Sequence, residues 1–458
     1  MGKIKFSGLL MGGVLFLMSS CLGGNNNDGI DDWILSNAQI ATFSLSNDSI
    51  EGLSNVKFTI DQINGKIFNK DSMPYGTAIN HKVLCALSWD NGSLGVSSAL
   101  FIPQSTGDSV WWTESDSIDF SAPVAITVYP LDGLSTKVYE AKLNIHQVNP
   151  DTMIWHKYAS LISGKTFKDM KVISYEDSYY MFVEESGIYR LYKTDMADMI
   201  NWEEVVLTDF PDKAVLSQIT VCEGDLYVMT EDGVLFCSLA GQNPDGGQSW
   251  VQVDGIPKMK TLLGCLPENT ISGRTTVLSG IADEGGVLYF VSINKNKEYK
   301  IGTIVSETFP ISGFGGFSYE LMYHPRFVIC SGRDSKGNLS GNAWSTMDAL
   351  TWIPLSNISF SPREGAAVSY YDDCFFVIGG IDAFGATLND IFYSKDHGVS
   401  WVNTDYVMAE EYTARGFASV FVDKNNYILL FGGKAGKDEN ILNELWRGRI
   451  NRLGFGKD

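Results

Sequence analysis

Tryptophan spacing constrains this chain more than any other feature of its sequence. Trp155, Trp202, Trp250, Trp352 and Trp401 lie 47, 48, 102 and 49 residues apart, and the long gap is two periods, so one repeat has lost its Trp near Ile301. A period near 50 residues, filled with short alternating apolar runs, belongs to a four-stranded sheet repeated around an axis, the β-propeller. One such wedge buries its faces only against its neighbours. Fourth strands number six: those bearing Trp155, Trp202, Trp250, the Ile301 region, Trp352 and Trp401. After Trp401 come a first, second and third strand that finish near Ile450, with no fourth-strand Trp beyond. The orphan strand at Trp155 is therefore expected to complete the last sheet, which closes the ring and removes free edges. The expectation is six blades, with seven the alternative.

Motifs sharpen this reading. Phe375-Phe376-Val377-Ile378-Gly379-Gly380, then Asn389-Asp390-Ile391-Phe392-Tyr393-Ser394 and Trp401 resemble the Kelch repeat of galactose-oxidase-type propellers. Tyr427 to Gly433 followed by Asn443-Glu444-Leu445-Trp446 repeats it, while Ser331-Gly332 stands in for the double glycine one blade earlier. Ser394-Lys395-Asp396-His397-Gly398-Val399-Ser400-Trp401 resembles the Asp-box of sialidase-like propellers, and Asn243 to Trp250 matches it through Asp245, Gly247 and Trp250. Ser345 to Trp352 is a degraded copy. In this box the Asp accepts backbone N–H groups, Gly398 supplies positive φ and Trp401 packs between blades, so it is a structural turn and not a catalytic one. No Arg-Ile-Pro signature accompanies it, which argues against a sialidase.

The chain has 458 residues, 44% hydrophobic and 12% aromatic, too many for one ordinary domain. Before the propeller, seven alternating runs between Ile40 and Ile145 suit a small β-sandwich, and the hairpin from Ala125 to Tyr139 resembles the last two strands of bacterial immunoglobulin-like modules. The boundaries follow as a sandwich over 36–150 and a propeller over 151–458, broken at Asn149-Pro150-Asp151. The fold class is all-β.

Lys3 and Lys5 precede an apolar stretch, Gly8 to Leu17, much shorter than the roughly 20 residues of a membrane span, which is the pattern of a signal peptide over residues 1–20. Met18-Ser19-Ser20-Cys21 resembles a bacterial lipobox, which implies lipidation at Cys21 and membrane attachment through that lipid; an ordinary secretory signal is the alternative. Residues 22–35 read as a flexible tether, and Asp28, Asp31 and Asp32 resemble the acidic patch that sends Bacteroides-type lipoproteins to the outer face of the outer membrane, a periplasmic-facing anchor being the alternative. As a whole the chain resembles two-domain lipoproteins of that group.

The formal charge of −20 repels phosphate backbones, so nucleic acid is not an expected partner. Besides Cys21 there are Cys85, Cys222, Cys237, Cys265, Cys330 and Cys374, nearly all within apolar runs and read as free buried thiols. No C-x-x-C pair occurs, and His81, His146, His156, His324 and His397 give neither zinc spacing nor the ligand set of a copper oxidase, so no metal or other cofactor is expected.

Candidate chemistry sits at the mouth of the ring, where first strands begin and second strands end. Aligning repeats on the end of the second strand puts Lys168, Lys213, Arg274, Arg363 and Arg415 from 16 to 18 residues upstream in five of six blades. Such a ring of cations suits a carboxylate or sulfate on a sugar; the same residues serve equally to bond carbonyls and carboxylates of the next blade. Arg363-Glu364 is the most chemical-looking pair, a carboxylate beside a fixed cation. Six-bladed Kelch proteins include sialic-acid mutarotases, a resemblance that carries no catalytic residue over. Three readings follow: a non-enzymatic binding protein for an acidic glycan or a protein partner, a carbohydrate-acting enzyme of mutarotase or lyase type, and a scaffold in an outer-membrane complex. The first is favoured. Trp111-Trp112, Tyr179-Tyr180 and Tyr370-Tyr371 are expected to pack in cores rather than to stack on sugars.

Overall fold

The computed structural model of the protein describes residues 36–89, 96–238, 248–356, 359–437 and 439–454. Cys21, residues 1–20, the expected tether over 22–35, Asp245 and Gly247 lie outside the described residues. The chain divides into two compact units between Asn149 and Pro150. Among the described residues regular structure is strand throughout, apart from three short 3-10 turns, Leu53–Asn55, Leu216–Gln218 and Asn451–Gly454.

The first unit holds two sheets. One pairs Ile40–Ser46 with Val83–Trp89 and Val83–Trp89 with Ser117–Ile118. The other runs in the order Phe58–Asp61, Lys66–Asn69, Lys137–Lys142, Val124–Pro130, Val96–Pro103, Val110–Trp111. Lys66–Asn69 and Ser117–Ile118 are strands beyond the seven expected, each too short to show an alternation. In Val124–Pro130 the side chains of Val124, Ile126 and Val128 are fully buried, and they share a core with Phe43, Leu45, Val83, Phe101 and Tyr139. Trp112 bonds the Cys85 carbonyl through Nε1 at 2.9 Å, while its neighbour Trp111 is exposed, as strand alternation requires.

The second unit holds six sheets. The first contains Asp169–Tyr175, Ser178–Glu185, Ile188–Asp195 and Glu203–Val205. The second contains Thr220–Cys222, Asp225–Met229, Leu235–Ser238 and Gln248–Gln252, with Leu207–Thr208 added parallel to its outer strand. The third contains Met259–Leu266, Val277–Glu284, Val287–Ile293 and Tyr299–Ile304. The fourth contains Gly315–Leu321, His324–Cys330, Ala343–Thr346 and Ile353–Pro354; the fifth, Ala367–Tyr371, Cys374–Ile381, Thr387–Ser394 and Val402–Asn403. The sixth takes three strands from the chain's end, Ser419–Val422, Ile428–Phe431 and Glu444–Ile450, and its outer strand, Met153–Ser160, from the start of the unit.

This last pairing is the expected closure. Trp155 stands opposite Gly448, where a Cβ would lie 2.3 Å from the indole, so only glycine leaves room for the ring. The innermost strand of each sheet touches that of the next, and the sixth touches the first, so the sheets form a β-propeller ring. Hydrogen bonds join successive sheets near its axis. Gln218 Oε1 accepts from Leu262 N at 2.8 Å, Thr261 Oγ1 donates to Ile311 O at 2.6 Å, and Ser419 Oγ accepts from Val172 N at 3.0 Å. Gly365 N donates to Gly313 O and Phe417 N to Gly365 O, each at 2.6 Å.

Between sheets lie apolar cores, with Trp250 buried between the first and second, Trp352 between the third and fourth, and Trp401 between the fourth and fifth. The missing tryptophan has a physical account: at Gly302 a Cβ would meet the Leu350 carbonyl oxygen at 2.2 Å, because the fourth sheet's turn lies against that strand and Thr303 N bonds the same oxygen at 2.9 Å.

One expectation about cysteine is corrected. Cys222 and Cys265 form a disulfide with Cα atoms 5.2 Å apart, linking the innermost strands of the second and third sheets; apolar surroundings on each strand hid a pairing that only sheet-to-sheet packing creates. Cys85, Cys237 and Cys330 are free and buried, and Cys374 is free and half-buried. Closing a loop of 43 residues removes about 4 kcal/mol of denatured-chain entropy. The double variant C222S/C265S should lower the denaturation midpoint accordingly, and a peptide map without reductant should show the two cysteines linked; separate thiols in that map would refute the pairing.

Candidate functional site

Backbone hydrogen bonds define the mouth of the ring position by position. The carbonyls of Lys213, Lys258, Ser312, Glu364 and Gly416 accept from the amides of Glu231, Asp283, Arg333, Ile381 and Lys434, at 3.0, 2.9, 2.7, 2.8 and 2.7 Å. In the first sheet the corresponding contact is Lys168 N to Glu184 O, at 2.9 Å. The first-strand residues so placed are Lys168 in the first sheet, where Asp169 is the residue directly opposite Glu184, and Lys213, Lys258, Ser312, Glu364 and Gly416 in the others. Their second-strand partners are Glu184, Glu231, Asp283, Arg333, Ile381 and Lys434.

Lysines in three consecutive sheets thus stand at the mouth end of the first strand. Lys168, Lys213 and Lys258 are exposed, and none forms an ion pair with a described residue. On the opposite half of the ring the cations come from second strands and the loops after them: Arg333, Lys434 and Lys437.

The expected ring is corrected at three places. Arg363 and Arg415 stand one residue before the mouth position and are buried. Arg363 bonds Ser361 O at 2.8 Å, Gly379 O at 3.0 Å, and both oxygens of Asp390 on the third strand, at 2.5 and 3.0 Å. Arg415 repeats the device on Thr413 O at 2.9 Å, Gly432 O at 3.0 Å and Glu444 at 2.8 Å. Each guanidinium lies over two aromatic rings, Phe360 and Phe392 in one case and Tyr412 and Trp446 in the other. Both are structural pins with no face open to a ligand. Arg274 is at the other end of its sheet, in the connection between first and second strands, where it bonds Met347 O at 3.1 Å and Pro267 O at 2.5 Å. The sequence alignment placed it at the mouth by counting Val287–Ile293 as a second strand when it is the third. Lys258, the true occupant, was missed because the third sheet's double glycine, Gly285-Gly286, leads straight into the third strand and was not used to anchor the count.

Glu364 does not pair with Arg363. Its carboxylate receives a fork from Arg333 of the fourth sheet, Nε to Oε2 and Nη2 to Oε1, both at 2.7 Å, with Lys437 of the sixth sheet at 3.6 Å. Burial raises the Glu364 carboxyl, and the Arg333 bonds and charge followed by Lys437 outweigh it, holding the group below the usual carboxylate range. A carboxylate so held is an acceptor and not a proton shuttle. Arg333 was missed in the sequence; its signal was the Ser331-Gly332 pair just before it. At this pair, and at Gly379-Gly380 and Gly432-Gly433, both residues have positive φ, and a Cβ on the second glycine would come within 2.5 to 2.9 Å of a first-strand carbonyl oxygen.

Asp169, beside Lys168, lies 4.0 Å from Lys434. Burial pushes its carboxyl up, against the pull of Lys434. Burial also lowers Lys171, two residues further along the strand.

The Asp-box folds as a turn. Asp396 accepts from Ser394 Oγ at 2.7 Å and Ser400 N at 2.8 Å, and Trp401 Nε1 donates to Gly398 O at 3.2 Å. The degraded copy keeps the geometry, with Asp348 accepting from Leu350 and Thr351 amides at 2.9 and 2.8 Å. Tyr179, Tyr180 and Tyr371 are buried in cores and Tyr370 is half-buried against Phe317 and Tyr319. Among the described residues no cluster of His, Cys, Asp and Glu is arranged to hold a metal.

The family model described as the DUF6242 beta propeller domain matches residues 149–458, and that described as the DUF6242 N-terminal domain, a domain of unknown function, matches residues 36–143. The chain is similar to the solved structure titled "Structure of YjhT", at 14% identity and a TM-score of 0.46, over 62% of this chain and 95% of that one. No curated protein matches it.

Two outcomes separate pins from mouth residues. Arg363→Ala leaves Asp390 without its partner and should cost about 3 kcal/mol in chemical denaturation, whereas Lys168→Ala should change stability by less than about 0.5 kcal/mol. Equal effects would contradict the assignment. Glu444 is raised by burial but brought down to about 2 by bonds from Lys157, Trp446 and Arg415. A depressed carboxyl stabilises the fold above its unfolded value near 4.5 and loses that contribution as pH falls toward 2. Denaturation midpoints measured across that window should fall less steeply for Glu444→Gln than for the wild-type chain.

Proposed function

Since the chain belongs to the DUF6242 family, with a β-propeller as its larger part, we propose that it is a binding module whose propeller mouth takes an acidic glycan, without catalysing a reaction on it. The observation that carries this reading is the run of Lys168, Lys213 and Lys258, exposed at the mouth end of the first strand in three consecutive sheets of a chain whose formal charge is −20. Lysines with no described carboxylate partner, fixed at a constant spacing by the sheet repeat, make a cationic arc suited to successive charges along an extended anion. Glu184, Glu231 and Asp283 stand beside them on second strands and restrict which anions fit, because a ligand must place its charges on the lysine side. An enzymatic reading needs a carboxylate free to move a proton, and Glu364 is committed to Arg333.

The finer architecture we infer is a six-bladed Kelch-type propeller with Asp-box turns behind an immunoglobulin-like module. Six sheets with Gly-Gly turns and the two-sheet first unit support it. We infer further that the protein is an exported lipoprotein of Bacteroides type, anchored through Cys21 in the outer membrane and facing the cell exterior. The lipobox-like sequence supports the anchor, and the Cys222–Cys265 disulfide supports an oxidising compartment.

Glycan-array binding tests the reading. Uronate-bearing or sulfated oligosaccharides should be retained at low ionic strength and released as salt rises, while neutral oligosaccharides of equal length are not retained. The variant K168A/K213A/K258A should lose about tenfold or more in affinity for the sulfated oligosaccharides. Retention unchanged in that variant, or turnover of a bound sugar, would overturn the proposal.

A further inference from the structure

A second cationic cluster occupies the closing sheet, away from the mouth position. Pairing registers set His156 opposite Arg447, Ile154 opposite Arg449, and Leu429 on the other side of Arg447. These side chains share the face that the sixth sheet turns toward the first. Toward the start of the third strand this face is sealed, with Leu445 and Phe431 fully buried. Further along, Tyr158, His156, Tyr427, Arg447 and Arg449 are only half-buried and Ile154 is exposed.

Both guanidiniums are held by π contacts and polar bonds. Arg447 lies 4.4 Å from the centre of the Tyr158 ring and 4.7 Å from that of Tyr427, and Arg449 lies 4.2 Å from Tyr427 on the same face. Arg447 Nε donates to His156 Nε2, which fixes the neutral imidazole with its proton on Nδ1. Burial, then the charges of Arg447 and Arg449, lowers His156 and keeps it in that form. Arg449 donates through Nη1 to Asn425 O at 3.2 Å. Neither arginine forms an ion pair with a described residue, whereas Arg190, Arg333, Arg363, Arg415 and Arg452 each do. Two like charges on alternate residues of one strand repel, and partial burial sharpens that repulsion, so an anion seated between them is the compensation the arrangement lacks. The Nη edge of Arg447, with its Nε spent on His156, is a planar two-donor fork matched to a carboxylate.

We propose that this end of the closing sheet is a carboxylate-binding site, with Arg447 receiving both oxygens of a small acidic ligand such as a uronic acid, Arg449 supplying the second positive charge, and His156 acting as the positioning residue that orients the Arg447 fork. The site is separate from the mouth and does not rest on the reading given for it.

The test is calorimetric titration of the full chain with sodium glucuronate, glucose and sodium sulfate at low ionic strength. Glucuronate should bind the wild-type chain and the K168A/K213A/K258A variant alike, and glucose should bind neither. Arg447→Lys keeps the charge but loses the fork and should weaken binding by about tenfold. His156→Gln should weaken it less while leaving the thermal midpoint near wild type, and Arg449→Lys carries the same comparison should Arg447→Lys fail to fold. The proposal is overturned if glucuronate does not bind, if its affinity survives both arginine substitutions, if it is lost with the mouth lysines alone, or if sulfate binds the K168A/K213A/K258A variant as well as glucuronate does, which would make the site a general oxyanion site.

Discussion

The pairing of Met153–Ser160 with Glu444–Ile450 is the contact on which the second unit depends. Each sheet is a wedge with two apolar faces, and each face is buried only by its neighbour, so an open row of six would leave two faces and two edges in water. The pairing brings together segments nearly the whole unit apart, and His156, Trp155 and Lys157 take their partners from the chain's last strand. Its local fit is asymmetric: Gly448 gives up its side chain so that Trp155 can lie across the strand, and Trp446 fills the space against the fifth sheet. Ring topology also raises the cost of error, since a register slip in the closing strand would expose Trp155 and strand the guanidinium of Arg447 away from its aromatic rings.

A second constraint acts inside the later sheets. In the fourth, fifth and sixth sheets the two positive-φ residues after the second strand, Ser331-Gly332, Gly379-Gly380 and Gly432-Gly433, lie so close to the first strand that a side chain would strike a carbonyl. The close approach leaves backbone carbonyls of Gly379 and Gly432 facing inward with no strand partner, and Arg363 and Arg415 reach in to bond them. A buried guanidinium then needs its own compensation, supplied by Asp390 and Glu444 from the third strand and by flanking aromatic rings. Turn geometry, arginine and acid are therefore one device. Where the turn is looser, as in the first three sheets, the device is absent and lysine appears at the adjacent position.

The sequence disclosed much of the ring and less of its mouth. Trp155, Trp202, Trp250, Trp352 and Trp401 were legible because a large aromatic ring recurring at one period has few structural explanations, and Gly379-Gly380 because paired positive φ excludes most residues. The third sheet was hidden by two causes acting together: its Trp is displaced by the Leu350 turn, and its long connection through Arg274 separates the first strand from the second. That shift moved Arg274 into the mouth on paper and Lys258 out of it. The pairing of Glu364 with Arg333 was illegible for another reason, since it joins residues 31 apart on neighbouring sheets and leaves the adjacent Arg363 facing the other way. Strand alternation already separates neighbours in this manner, and reading Arg363-Glu364 as a pair neglected it. The Cys222–Cys265 bond belongs to the same class, a contact made by sheet packing and invisible along either strand.

The mouth position itself shows where side-chain chemistry is free to vary. Its backbone makes the hydrogen bond that ends the first strand's pairing, a role that any side chain permits, and its occupants in the second to sixth sheets are two lysines, a serine, a glutamate and a glycine, with Lys168 beside Asp169 in the first. One residue earlier the chain is constrained by the arginine device, and a few residues later by the apolar cores between sheets. Chemical variety is therefore confined to a ring one residue deep, where a substitution changes the charge presented to a ligand and leaves the sheet intact. Lys168, Lys213 and Lys258 alternate with Glu184, Glu231 and Asp283 across half of that ring, while Arg333 and Lys437 spend much of their charge on Glu364 in the other half. Lys168, Lys213 and Lys258 are therefore the mouth cations without an ion pair among the described residues, and the carboxylates between them offset their charge.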